Sequence, residues 1–248
     1  MKDFVLEVCA DSVESVLAGE HGGATRIELC GNLVIGGTTP SPKLIEEIRK
    51  HSHIPIHVLI RPRYGDFCYT AYEYSIMKEE VRMFRELGAE GVVIGVLKPE
   101  GTLNMEAVYG LMEEAEGMSV TLHRAFDMSA EPYETMEQAI SLEMDTILTS
   151  GQKNICTEGA PLLKSLREKS RGRICIQAGG GVNAAVIPGV YRTSGVTAYH
   201  MSGKAALDSA MTYRKEEVNM GLPSLSEYTI YRTREESIRQ ARQVLEEI

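Results

Sequence analysis

The stretch Ser119-Val120-Thr121-Leu122-His123-Arg124-Ala125-Phe126-Asp127 decides how the rest of the chain is read. It opens as a short strand, because Val120, Thr121 and Leu122 are β-branched or apolar. It ends abruptly in His123, Arg124 and Asp127. A proton-transfer group, a permanent cation and a carboxylate thus stand at the end of one strand. A helical pattern begins at Pro132. In a βα unit the loop after the strand lies on the face where α/β proteins bind ligands. The plainer alternative is an Arg–Asp pair closing a turn beside a hydrogen-bonded histidine. Other strands that end in the same way favour the ligand site.

Strand and helix signals alternate on both sides of this stretch with no break in composition. Phe4 to Cys9 reads as strand one, and Ser12 as the cap of an amphipathic helix that Gly22-Gly23 ends. Strands two to four follow at Arg26–Cys30, Ile54–Ile60 and Gly91–Gly95. Strands five to eight lie at Val120–His123, Asp145–Thr149, Arg173–Gln177 and Thr197–His200. Helical patterns fill the intervals. Eight βα units with short loops predict an α/β fold: a single (β/α)8 TIM-type barrel over about residues 3–204. An open doubly wound sheet is the alternative, but no GxGxxG follows strand one. The extension from about 205 to 248 reads differently. Ala205 to Tyr231 is irregular, with Met220-Gly221-Leu222-Pro223 in its middle. Thr233 with Glu236 fits a capping box, and Ile238, Ala241 and Leu245 form an apolar stripe. An additional C-terminal helix is expected there, packed on the barrel or on a second subunit.

A length of 248 residues suits one barrel of this kind. A hydrophobic fraction of 43% and a charged fraction of 25% are those of an ordinary globular protein. The net charge of −9 argues against a nucleic-acid or anionic-membrane surface. No apolar run approaches a membrane span. The start, Met1-Lys2-Asp3-Phe4, leads into a strand and carries no signal-peptide pattern, so a cytoplasmic location is expected. The five cysteines are odd in number, widely spaced and without a CxxC, which argues against a disulfide framework or a closed zinc site.

Residues two apart on a strand share a face. Glu7 and Cys9 therefore point together from strand one, and Glu28 and Cys30 from strand two. A buried carboxylate needs a cation or hydrogen bonds. Strand three supplies cations at Arg61 and Arg63, strand five His123, and strand eight His200 with Ser202 beyond it. Gly179, Gly180 and Gly181 end strand seven, where barrels often hold phosphate. Each of these has a plain structural reading alone: a tight turn, a satisfied histidine, a buried thiol. Together they place many costly polar groups at one end of the barrel, which points to a pocket. Glu7, Glu28, His123, Asp127 and His200 are the candidate acid–base groups. Arg61, Arg63, Arg124, Gly179, Gly180, Gly181 and Ser202 are the candidate anion binders. This set suits acid–base work on a small anionic metabolite, possibly phosphorylated, with no organic cofactor implied. A second reading takes Cys9 and Cys30 as soft thiolate ligands for Cu(I), with His123 or His200 adding a nitrogen.

The segments Glu7-Val8-Cys9, Arg26-Ile27-Glu28-Leu29-Cys30, Gly36-Gly37-Thr38-Thr39-Pro40-Ser41, Ile60-Arg61-Pro62-Arg63, His123-Arg124-Ala125-Phe126-Asp127 and Ile147-Leu148-Thr149-Ser150-Gly151 closely resemble the copper homeostasis protein CutC family. The likeness runs from Phe4 to about Met220. It implies a cytoplasmic TIM-type barrel, a homo-oligomer (a dimer or larger), linked to copper handling. It also implies Cu(I) bound by two cysteines that match Cys9 and Cys30. Leu122 and Thr146 depart from the family pattern, where Phe and Arg are more usual.

Overall fold

The structure is a computed structural model that describes residues 4–215, 217–222 and 224–248. The expectations placed on Met1–Asp3 and on Pro223 fall outside the described residues. The barrel strands are β1 (Val5–Ala10), β2 (Arg26–Leu29), β3 (Ile56–Leu59), β4 (Gly91–Ile94), β5 (Ser119–Leu122), β6 (Thr146–Thr149), β7 (Cys175–Ala178) and β8 (Ala198–Met201). They close in sequence order, each parallel to its neighbours, with β8 returning to β1. The expected barrel is therefore present.

Helices α1 (Val13–His21), α2 (Pro42–Ile48), α3 (Ala71–Glu86), α4 (Met105–Glu114), α5 (Pro132–Ser141), α6 (Cys156–Ser170) and α7 (Ile187–Ser194) follow β1 to β7. Their ends are set locally. Ser12 caps α1 by accepting from the Ser15 amide. Thr70 and Glu73 form a reciprocal capping box on α3. Outward strand residues such as Leu6, Val8, Ile27 and Val58 pack under the helices and are buried completely. Because both strand faces are covered, the strands read as apolar runs broken at the inward positions.

Those inward positions carry the polar groups. The register sets Glu7 opposite Arg26 on one side and His200 on the other, and Cys9 opposite Glu28. Two glycines of the β4 segment make room for rings. A Cβ on Gly91 would lie 2.7 Å from the His57 ring, and one on Gly95 would lie 2.6 Å from Cε1 of His123.

The extension corrects the sequence reading in two places. The stretch read as irregular begins and ends in a hairpin, where β9 (Lys204–Asp208) pairs antiparallel with β10 (Thr229–Thr233). Short strands rich in alanine and charge carry little periodic signal. Thr233 is also no cap: it closes β10, its hydroxyl donates to the Ser202 carbonyl, and α8 (Glu235–Glu247) begins after Arg234 with no side-chain cap. The apolar stripe is where it was expected. Ile238, Ala241 and Leu245 are buried, and α8 packs against α1 and α7. Among the described residues no helix is long and apolar enough to cross a membrane. All five cysteines are unbridged.

Candidate functional site

The C-terminal mouth of the barrel opens into a cavity of about 640 Å³. Cys9, Glu28, Arg61, His123, Arg124, Asp127, Gly180, Gly181, His200 and Ser202 all line it. The ends of six strands, β1, β2, β3, β5, β7 and β8, have thus delivered most of the sequence candidates to one place. Glu7, Arg63, Gly179 and Cys30 do not reach the cavity wall.

Glu7 lies beneath the floor, fully buried. Its Oε2 accepts from Arg26 Nε at 2.5 Å, and its Oε1 accepts from Gln177 Nε2 at 3.0 Å and from His200 Nδ1 at 2.7 Å. Burial alone would raise this carboxyl, but the His200 hydrogen bond and the Arg26 charge outweigh it and hold it well below the usual carboxylate range. The cation that neutralises the interior is therefore Arg26, not the strand-three arginines expected for that role. Sequence reading passed over Arg26 and Gln177, although both occupy inward strand positions where a polar residue is costly.

His200 links this buried layer to the cavity. Burial works against its imidazolium, but Cys9, Glu28 and Glu7 outweigh burial and hold its pKa well above the ordinary histidine value. Its Nε2 stands 4.0 Å from Glu28 Oε1. Glu28 is only 6% exposed. Burial, with the nearby negative charge of Glu7, pushes its carboxyl up to about 7 against the opposing pull of His200 and Arg26. Glu7, Glu28 and His200 are close enough together to hold a metal ion by geometry. Arg26, Gln177 and His200 already occupy both Glu7 oxygens.

His123 shares this mouth with Glu28. Its Nδ1 accepts from the Ala125 amide at 3.1 Å, so in the neutral ring the proton sits on Nε2. Burial, and then the positive charge of Arg61, push its pKa down to about 3. Nε2 is buried with no protein partner. Phe67 packs on the ring with centroids 4.8 Å apart. Arg61 also lies over Phe67, its Cζ 5.1 Å from the ring centroid. Its Nη groups bond the carbonyls of Gly36, Gly37 and Gly65, and its Nε is buried without a partner. Among the described residues no carboxylate pairs with the Arg61 guanidinium. Arg63 is different: it does not line the cavity, and Asp66 and Glu73 pair with its guanidinium.

Arg124 and Asp127 do close a turn, a short 3-10 segment over Arg124–Met128. Asp127 accepts from Arg124 Nε, Thr149 Oγ1, the Ser150 amide and hydroxyl, and the Gln152 amide. This carboxylate is saturated, and it fixes both Arg124 and the loop after β6. Gly179 donates its amide to the Thr149 carbonyl and so belongs to the sheet.

The two cysteines part company. Cys9 lines the cavity beside His200. Cys30 is completely buried with Leu59 and Val93, and its thiol donates to the Ala10 carbonyl at 3.6 Å. Gly37 roofs it so closely that an added Cβ would lie 3.6 Å from the sulfur. Burial, then the negative groups Cys9, Glu28 and Asp11, hold the Cys30 thiol well above its ordinary value. As a donor set for Cu(I) the pair has the right softness, but Cys30 must lose a proton in a place that resists it.

The profile of the CutC family matches residues 4–205. This chain belongs to the CutC family. A CutC family protein of Bacteroides fragilis is 44% identical over 230 residues, covering 92% of each chain. The copper homeostasis protein cutC homolog of Homo sapiens is 41% identical over 228 residues, covering 92% of this chain and 84% of the human one. Among solved structures, a CutC from Streptococcus agalactiae superposes with a TM-score of 0.77 at 31% identity, covering 81% of this chain and 99% of its own. The family motifs quoted from the sequence are the segments that build the mouth of the CutC barrel here.

Proposed function

We propose that this chain serves copper homeostasis, the role for which its human and mouse relatives are named, and that its molecular work is acid–base chemistry on a small anionic metabolite in the barrel-mouth cavity. One observation carries the chemistry. The same cavity holds Glu28, whose nearest charged partner is His200 Nε2 at 4.0 Å, beyond hydrogen-bond reach, and His123, a neutral imidazole with an unpartnered Nε2–H. Glu28 is the base. His123 Nε2–H and Arg61 Nε supply donors where negative charge develops on a substrate oxygen. A neutral histidine is suited to that task because it lends a proton without adding a full charge. Glu7 acts through His200: it orients the imidazolium that steadies Glu28. The reaction class that fits is proton abstraction beside a carbonyl. The test is a thermal-shift screen of phosphorylated and carboxylated carbonyl compounds, followed by proton NMR of the hits in D2O. Deuterium wash-in should slow by about 10²–10⁴-fold in Glu28→Gln. Equal exchange in that variant sinks the assignment.

A second reading, supported by Cys9 in the cavity wall and by the names of the relatives, is Cu(I) held by Cys9 with Cys30. Anaerobic Cu(I) titration against a competing chelator tests it. Tight binding lost in both Cys9→Ser and Cys30→Ser supports the pair. Binding that survives Cys30→Ser removes the buried thiol from the site.

A further inference from the structure

A set of hydrogen-bond donors on one side of the cavity has no role in the acid–base chemistry. Arg124 is held rigid by Asp127 through Nε and by Ser150 through Nη2, and its Nη1 has no protein acceptor among the described residues. Next to it runs the loop after β7. Gly180 and Gly181 have φ of +84° and +77°, a conformation that favours glycine. A Cβ on Gly180 would lie a tight 3.1 Å from Ser150 Cβ and 3.7 Å from Arg124 Cζ, which places this backbone in contact range of the guanidinium. The amides of Gly180, Gly181 and Val182 donate to no protein acceptor among the described residues, and all three residues line the cavity. Ser202 brings a hydroxyl from the end of β8. His123, 4% exposed and with an unpartnered buried Nε2, lines the same cavity.

We infer that this corner is a phosphate cradle, and that the substrate class of the cavity is a phosphate monoester. The inference rests on the acid–base reading above and names the other end of its ligand. One fixed guanidinium nitrogen, three amides and a hydroxyl suit the three terminal oxygens of a phosphate monoester, whose acceptors spread over a tetrahedral face where those of a carboxylate lie in one plane. Asp127 does not cancel the site: its oxygens are saturated by five donors, so it orients Arg124 and leaves Nη1 without an acceptor among the described residues. The chain carries a net charge of −9, so the attraction is local.

Inorganic phosphate titrated into the full chain, followed by amide NMR, tests the cradle directly. Saturable shifts centred on Gly180, Gly181 and Val182 are expected. Glycerol 3-phosphate should produce them too, and glycerol should not. Arg124→Gln should weaken phosphate at least about tenfold. The wild-type titration needs no variant to fold: shifts that do not saturate, or that centre elsewhere, overturn the cradle. So does unchanged affinity in a folded Arg124→Gln. The two readings fail separately. Phosphate binding without deuterium exchange on any phosphorylated carbonyl compound removes the acid–base assignment. Glu28-dependent exchange on an unphosphorylated acid, with no phosphate binding, removes the cradle.

Discussion

His200 Nδ1 donates to Glu7 Oε1 over 2.7 Å, between residues paired in register on β8 and β1. The bond joins a fully buried carboxylate to a ring at the cavity floor, and it turns Nε2 toward Glu28 at 4.0 Å. Glu7 also anchors Arg26. Replacing it removes the counter-charge of two cations at once.

Glu7→Ala should therefore cost about 3–5 kcal/mol of folding stability, the penalty of leaving buried charge uncompensated. Urea unfolding at neutral pH measures it. The same variant should lower the His200 pKa, followed through the imidazole proton shifts. A loss under about 1 kcal/mol would show that Arg26 is solvated.

Glu28 gives a pH signature. Its folded pKa of about 7 lies above its ordinary value of 4.5. Between these values the folded state holds the extra proton, so this contribution is fully present below pH 4.5 and is lost as pH rises through about 7. Glu28→Gln should flatten that slope and, above pH 7, be more stable than the parent by up to about 3 kcal/mol. Denaturation curves of both proteins from pH 4.5 to 8 provide the comparison. Activity through Glu28 should rise over the same range as the base ionises.

Gly95 is the space occupied by His123. In Gly95→Ala the new methyl would meet Cε1 at 2.6 Å and Nδ1 at 2.7 Å. The backbone there has no positive φ, so the effect is steric. A loss of about 1–3 kcal/mol is expected, along with displacement of the His123 ring. The ring proton shifts of His123 should move while those of His200 stay. An unperturbed His123 would mean that β4 yields instead.

The C-terminal helix is part of the fold. Ile238 is fully buried, and its side chain fills the space over Gly22 and Gly203. Ile238→Ala should cost about 2–5 kcal/mol, read by urea unfolding. A cost near zero would detach α8 from the barrel core.

The sequence by itself determined the alternation of elements, and with it the barrel. Apolar four-residue strands between amphipathic helices can bury both faces in few other ways. It also determined which strand ends carry chemistry, because a charged residue at an inward position is conspicuous against an apolar run. His123, Arg61, Arg124 and Glu28 were legible for that reason. Partners were not. Glu7 takes its cation from Arg26 and its third contact from Gln177, 170 residues away, and no local pattern records a bond across the barrel. The fates of two similar E-x-C motifs diverge because β1 opens to the cavity while the loop at Gly37 seals Cys30. Likewise Arg63, alike with Arg61 in sequence, is spent on Asp66 and Glu73 once Pro62 and the loop turn it outward. Periodicity decides which residues face inward. Only closure of the barrel decides which of those residues meet, because contacts across it depend on register and on the loops that roof it.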